Sequence, residues 1–168
     1  MHTILHLAVT QDGYIARSNG DSSWVSHADE ELFMARARDA GCLVVGRTTF
    51  EQYRGTIYPV SGALNIVLTA DVRNMQLEER VVIATSPEEA ISIAQKRGMR
   101  SMLIAGGAKV ARAFLDRGLI NEIFLSVHPF RLGEGIKAFE DIAHDARFIL
   151  KGEREPSEGL KELRYVMI

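Results

Sequence analysis

The chain has one cysteine, one tryptophan and four prolines in 168 residues, and each scarcity excludes something. A single cysteine rules out an intramolecular disulfide and any cysteine-cluster zinc site. Cys42 stands in the apolar run Cys42-Leu43-Val44-Val45 and reads as a small buried side chain rather than a nucleophile. Excess charge of either sign is missing too: 20 basic side chains face 22 acidic ones, for a net charge of −2. Without a basic block or interleaved aromatics, nothing grips nucleic acid or an anionic membrane. No apolar run reaches the roughly 20 residues of a membrane span. The opening Met1-His2-Thr3-Ile4-Leu5 lacks the charged start and long apolar stretch of a secretion signal. The expectation is a cytoplasmic protein whose partner is a small molecule.

What is present is an ordinary globular composition, 46% hydrophobic and 25% charged. The length fits one domain over 1–168, able to bury roughly 70% of its unfolded surface without a staple. No repeat, linker or low-complexity tract interrupts it. Strands and helices alternate. Strands are expected at 3–10, 42–45, 65–69, 81–84, 102–105 and 123–127, from short apolar runs bounded by turn signals such as Asp12-Gly13. A helix is expected over 28–40, capped by Ser26 and closed by Gly41. A short helix follows up to Tyr53, and 54–62 reads as a loop. Ser86 and Glu89 form a capping box, with Pro87 at the first helical position and Gly98 past the end. A further helix spans 108–117, closed by Gly118. The tail pairs 148–151 with 163–168 across a polar turn at 155–159. The result is an α/β fold: a mostly parallel central sheet flanked by helices, with a C-terminal antiparallel hairpin.

Three features could carry chemistry. In Ala105-Gly106-Gly107-Ala108-Lys109-Val110 a buried strand meets a helix through two glycines, whose backbone can approach a ligand closely. The helix start suits a pyrophosphate, although the pair could equally make only a tight connection. In Gly46-Arg47-Thr48-Thr49 a second strand turns into a helix through a glycine. Arg47 could meet a phosphate, and Thr48 and Thr49 could cap the helix or touch a cofactor. Two such turns at the carboxyl ends of strands in one small sheet favour a dinucleotide. Third, Asp29 shares a helical stripe with Phe33, Ala37 and Ala40, and a carboxylate on a core-facing stripe must be paired or line a pocket. The alternative is a solvated first-turn acid. His2, His27, His128 and His144 show no metal-ligand spacing, so no metal is expected; His6 alternates into the first strand as a satisfied polar group near a pocket. Asp141 and Asp145 read as surface acids.

Taken in order, these residues resemble the dihydrofolate reductase superfamily, and within it the reductase domain of bifunctional riboflavin-biosynthesis enzymes. The likeness runs through Asp12-Gly13-Tyr14-Ile15-Ala16, Gly20-Asp21-Ser22-Ser23-Trp24, Gly46-Arg47-Thr48-Thr49-Phe50-Glu51, Gly106-Gly107-Ala108-Lys109-Val110 and Gly118-Leu119-Ile120-Asn121-Glu122. Pro129 and Leu132-Gly133-Glu134-Gly135 continue it. The resemblance implies NADPH as hydride donor and a homodimer. It implies Trp24 and Thr49 near the nicotinamide, Arg47 and Thr69 near the adenosine phosphate, and Gly106, Gly107, Ala108 and Lys109 around the pyrophosphate. Gly46, Thr48 and Val110 belong to the same two turns. Asp29 stands where dihydrofolate reductases carry their acid, and Ser22 matches a substrate-contacting serine; Phe33 would share their wall.

The departures lie on the substrate side. Ala63 stands in place of the arginine that holds a folate tail, and Ala105 in place of an acid before the glycine pair. Gln52-Tyr53-Arg54-Gly55-Thr56 replaces an aspartate-rich segment that ends in arginine. The zinc deaminase partner domain has no counterpart in these residues. The implied activity is hydride transfer to a C=N or C=O carbon of a small heterocycle or sugar amine. The ribosylamino-pyrimidine of riboflavin synthesis is the first substrate expected, and a pterin or dihydrofolate the second. A nucleotide-binding module without turnover is the rival class. A Rossmann dehydrogenase is weaker, because Gln11-Asp12-Gly13 follows the first strand instead of a glycine fingerprint.

Overall fold

The computed structural model describes residues 1–73, 78–139, 145 and 147–168; Asp141 and His144 lie outside them. Eight strands form one sheet: β1 (His2–Thr10), β2 (Cys42–Gly46), β3 (Leu64–Leu68), β4 (Val81–Ala84), β5 (Ser101–Ile104), β6 (Glu122–His128), β7 (Phe148–Ser157) and β8 (Leu160–Met167). Their order is β4-β3-β2-β5-β1-β6-β8-β7. The first six run parallel, and β8 and β7 close the sheet antiparallel. Among the described residues four helices connect them: α1 (His27–Ala40), α2 (Arg47–Gln52), α3 (Pro87–Lys96) and α4 (Ala108–Asp116).

Strand alternation divides the core in two. Leu5, Leu7 and Val9 of β1 join Val44, Ile66 and Ile104 on the face covered by α3 and α4, where Phe114 is fully buried. Leu43, Val45, Val67 and Leu103 point to the other face, against Ala37 and Ala40 of α1 and Phe50 of α2. Helix ends follow local chemistry. Ser26 Oγ accepts from the Asp29 amide at 3.3 Å, and Gly41 takes the left-handed cap conformation that a side chain resists. Ser86 Oγ accepts from the Glu89 amide, but the Glu89 carboxylate reaches back one residue further than a capping box does, to the Thr85 amide and hydroxyl.

The tail differs most from expectation. The hairpin strands are longer than 148–151 and 163–168, and the turn tightens to Glu158-Gly159. β7 is an edge strand in which only Phe148 is buried, so it lacks the apolar alternation that marks a strand in sequence. Its bulges, and Pro156 within it, are tolerated because among the described residues one side of the strand pairs with nothing. Among the described residues no helix is long and apolar enough to cross a membrane.

Candidate active site

A cavity of about 190 Å³ lies between the sheet and α1. Its floor is His6, Leu7 and Ala8 of β1 and Ala105 just past β5; α1 supplies Asp29, Glu30 and Phe33. Ser22 and Ser23 close one side, and Thr49, Gln52, Tyr53, Ile57 and Tyr58 another. The 20–24 loop is tied to the end of α2: Gln52 Nε2 donates to the Gly20 carbonyl, and Ser22 Oγ is hydrogen-bonded to the Tyr53 hydroxyl. Phe33 and Tyr58 meet edge to face, so the wall opposite the loop is aromatic.

Asp29 is the chemical centre. It is 2% exposed, and one carboxylate oxygen lies 3.0 Å from His6 Nε2. On the far side of the imidazole, Arg36 Nη1 lies 2.7 Å from His6 Nδ1. A guanidinium only donates, so Nδ1 accepts and the ring proton sits on Nε2, directed at Asp29. Arg36 Nη2 donates in turn to Glu162 at 2.5 Å, and Glu162 also accepts from Arg154. Burial, the largest single influence, opposes ionisation of Asp29, yet the lowering contributions of His6, Ser126 and His128 together outweigh it and hold the carboxyl below its ordinary value. At neutral pH this acid is a carboxylate. Ser126 Oγ, also buried, belongs to the same polar neighbourhood and has no hydrogen-bond partner among the described residues.

The two glycine turns touch each other. The Gly46 amide donates to the Gly106 carbonyl at 3.0 Å. A Cβ on Gly107 would stand 3.1 Å from Thr49 Oγ1, and one on Gly46 3.1 Å from Val110 Cγ2. Gly106 has φ +83°, a conformation that side-chain-bearing residues rarely adopt. Neither Gly46 nor Gly107 gives its helix a side-chain cap, so the first amides of α4 start from a bare backbone. Such a cradle could receive the pyrophosphate of a dinucleotide, and a side chain at Gly46 or Gly107 would crowd it.

The structure brings most of the expected residues together. Asp29, Ser22, Phe33, Thr49 and Gly107 line the cavity, and Gly46, Thr48, Gly106 and Val110 belong to the turns beside it. Arg47 and Thr69 meet at a common point, both donating to the Asp71 carbonyl. Arg47 is further engaged by Glu51 and the Arg73 carbonyl. Ala108 and Lys109 line a separate open cleft with Arg112 and Lys137. Trp24 does not line the cavity. It packs edge to face on His128 and Phe130, with its indole N–H buried and unpartnered among the described residues. Sequence reasoning missed His6 as the partner of Asp29, and missed Glu30, Gln52, Tyr53 and Tyr58 as wall. One signal for His6 was available: polar residues at His6 and Thr10 alternate with Leu5, Leu7 and Val9. Cys42 is fully buried, and burial pushes its thiol up to about 12, so it stays inert.

Known proteins resemble this chain. The Bacillus subtilis protein YwjB is 26% identical over 170 residues, covering 98% of this chain and 97% of its own. The riboflavin biosynthesis protein RibD of Corynebacterium ammoniagenes is 29% identical over 176 residues, 90% of this chain but 49% of that protein. A solved Thermotoga maritima diaminohydroxyphosphoribosylaminopyrimidine deaminase/5-amino-6-(5-phosphoribosylamino)uracil reductase superposes with a TM-score of 0.75 at 20% identity, over 99% of this chain and 56% of that one. That superposition shows the fold. The RibD C-terminal domain family matches residues 1–161, and the chain belongs to that family.

Proposed function

We propose that the protein is a reductase that takes NADPH across the two glycine turns and reduces a C=N or C=O carbon of a small heterocycle held against Asp29. The observation that carries this reading is the juxtaposition of a buried carboxylate and a side-chain-free cradle on one cavity: Asp29 and Gly107 both line it. Bound NADPH supplies a hydride. The chain's own part is to hold and orient. Gly106, Gly107 and the start of α4 receive the pyrophosphate, and Arg47 beside Thr69 faces the adenosine phosphate. Thr49, which lines the cavity and touches Gly107, borders the nicotinamide. Asp29, held ionised, is a poor proton donor at neutral pH. Its role is to accept a hydrogen bond from a ring N–H and keep that nitrogen protonated while the neighbouring carbon is reduced. His6 fixes the carboxylate, and Arg36 fixes His6.

An Asp29→Asn variant tests the reading. Asn keeps an acceptor for His6, so the fold persists, and the turns are untouched. Affinity for NADPH, followed by its fluorescence, stays within about twofold of the parent, and NADPH binds about 10-fold or more tighter than NADH. Turnover of an accepted heterocycle, followed by NADPH absorbance, falls about 10²-fold or more. Failure to bind NADPH sinks the reductase reading. Tight NADPH binding with no reduction of any heterocycle points to a nucleotide-binding module.

A further inference from the structure

We infer that the substrate of this cavity is an uncharged or protonated nitrogen heterocycle that carries no phosphate; this rests on the reductase reading above. The charged side chains that could meet a ligand are Asp29 and Glu30, both acidic, with His6 already committed to Asp29 and Arg36. No lysine or arginine lines the cavity among the described residues. The residues outside them, 74–77, 140–144 and 146, contain neither lysine nor arginine.

The arginines next in sequence to the walls point elsewhere. Arg17, after Ala16 on the wall, pairs with Asp21. Arg54, after Tyr53, pairs with Glu78. Arg36 reaches the back of His6 and Glu162. A phosphate ester in this cavity would bring its charge beside two carboxylates with no counter-charge, an arrangement that strongly disfavours binding. The remaining wall suits a neutral ring. Phe33 and Tyr58 offer flat apolar surface, and Ser22, Gln52 and Tyr53 offer hydroxyl and amide groups to ring carbonyls and amines. A volume of about 190 Å³ falls below the roughly 300–1,000 Å³ of drug-sized pockets, which fits one or two rings with a short substituent. The solved Thermotoga maritima relative is by its description a reductase of a phosphoribosylamino compound, so the inference separates this chain from that substrate while keeping the ring.

Two matched pairs of probes test it on the full chain: an aminouracil riboside with its 5′-phosphate, and a hydroxymethyl dihydropterin with its monophosphate. Affinities are measured by calorimetry with and without NADPH. The expected result is that the unphosphorylated member of at least one pair binds at least about 100-fold more tightly than its phosphate ester. A Glu30→Lys variant should narrow that preference by about tenfold, because it replaces a like charge with a counter-charge. Equal or tighter binding of the phosphate esters overturns the inference, and so does binding of neither member in both pairs. The reductase reading fails separately, by absence of NADPH binding, since phosphate preference is also read without cofactor.

Discussion

The two faces of strand β1 solve opposite problems within the same nine residues. On one face Leu5, Leu7 and Val9 meet Ile104, Ile123 and Leu125 in the apolar core under α3 and α4. On the other, His6 and Thr10 stand in register with Phe124 and His128, and Ala8 with Ser126, whose β8 partner is Glu162. Glu122, Ser126, His128 and Glu162 are all buried there. The apolar face gains about 1.5–3 kcal/mol for each fully buried large side chain. The polar face gains far less, because a buried charge-assisted network roughly offsets its own desolvation. Of these groups His6 reaches the cavity, and the others stand behind or beside it. The sheet is therefore stabilised on one side and equipped on the other, and the equipment is over-determined: His6 has partners on both nitrogens, and Glu162 has two arginines.

The largest effect should come from the apolar face. Leu5 is fully buried between Ile104 and Ile123, and Leu5→Ala leaves a cavity in a rigid sheet centre. Urea unfolding should show a loss of about 2–5 kcal/mol, with NADPH affinity of the folded fraction unchanged. A loss below about 1 kcal/mol would mean that this face does not hold the fold.

The next effect is on the polar face. Arg36→Met removes a charged donor from Glu162 and from His6 and keeps an apolar stem over Phe124, where the guanidinium stacks at 3.7 Å. Arg154 still satisfies Glu162, so the stability loss should be about 1.5–3 kcal/mol, smaller than for Leu5→Ala. The diagnostic readout is the His6 tautomer. Long-range proton–nitrogen spectra should place the ring proton on Nε2 in the parent and show a mixture in the variant. The same Nε2 tautomer in both proteins would show that Arg36 does not fix it.

The same contrast explains what sequence could and could not reveal. The apolar face was legible: strand order along the chain, the Ser26 and Ser86 caps, Gly41, and the fully buried Cys42-Leu43-Val44-Val45 run all follow from local pattern. Each glycine turn alone reads equally as a tight connection or ordinary capping; what drew them out was their pairing at strand ends, while their direct contact through Gly46 and Gly106 comes from tertiary structure. Asp29 was legible because a carboxylate on an apolar stripe is an anomaly. Its partners were not. His6, Arg36, Glu162 and Ser126 come from three strands and a helix, and nothing in their spacing announces that they meet. Trp24 went the other way: its loop borders the cavity, but the ring turns toward His128 and Phe130. β7 was read too short because an edge strand buries almost nothing.

The smallest effect tests where the polar face ends. Thr10 is the last residue of β1 and is 1% exposed; its hydroxyl donates to Asp12 at 2.6 Å and accepts from the Tyr14 amide at 3.0 Å. Asp12 also accepts from the Leu132 and Gly133 amides, so one carboxylate pins the first turn to the loop after β6. Those hydrogen bonds, that from Thr10 foremost, lower the Asp12 carboxyl to about 2. With its folded value depressed, Asp12 contributes stability that is complete above its unfolded value, roughly 3.9. That contribution is lost as pH falls toward about 2. Thr10→Val keeps the shape and removes the hydroxyl. Carbon-detected titration should then show the Asp12 carboxyl moving back up toward its ordinary value, so the contribution is smaller and its loss on acidification is complete at a higher pH. The two loop amides remain, so the melting temperature at neutral pH should fall by only about 2–4 °C. Cavity binding should not change, because Thr10 and Asp12 lie outside its wall. An Asp12 titration unaltered by Thr10→Val would show that the loop amides alone hold the carboxylate, and that the polar network on β1 stops short of the strand's end.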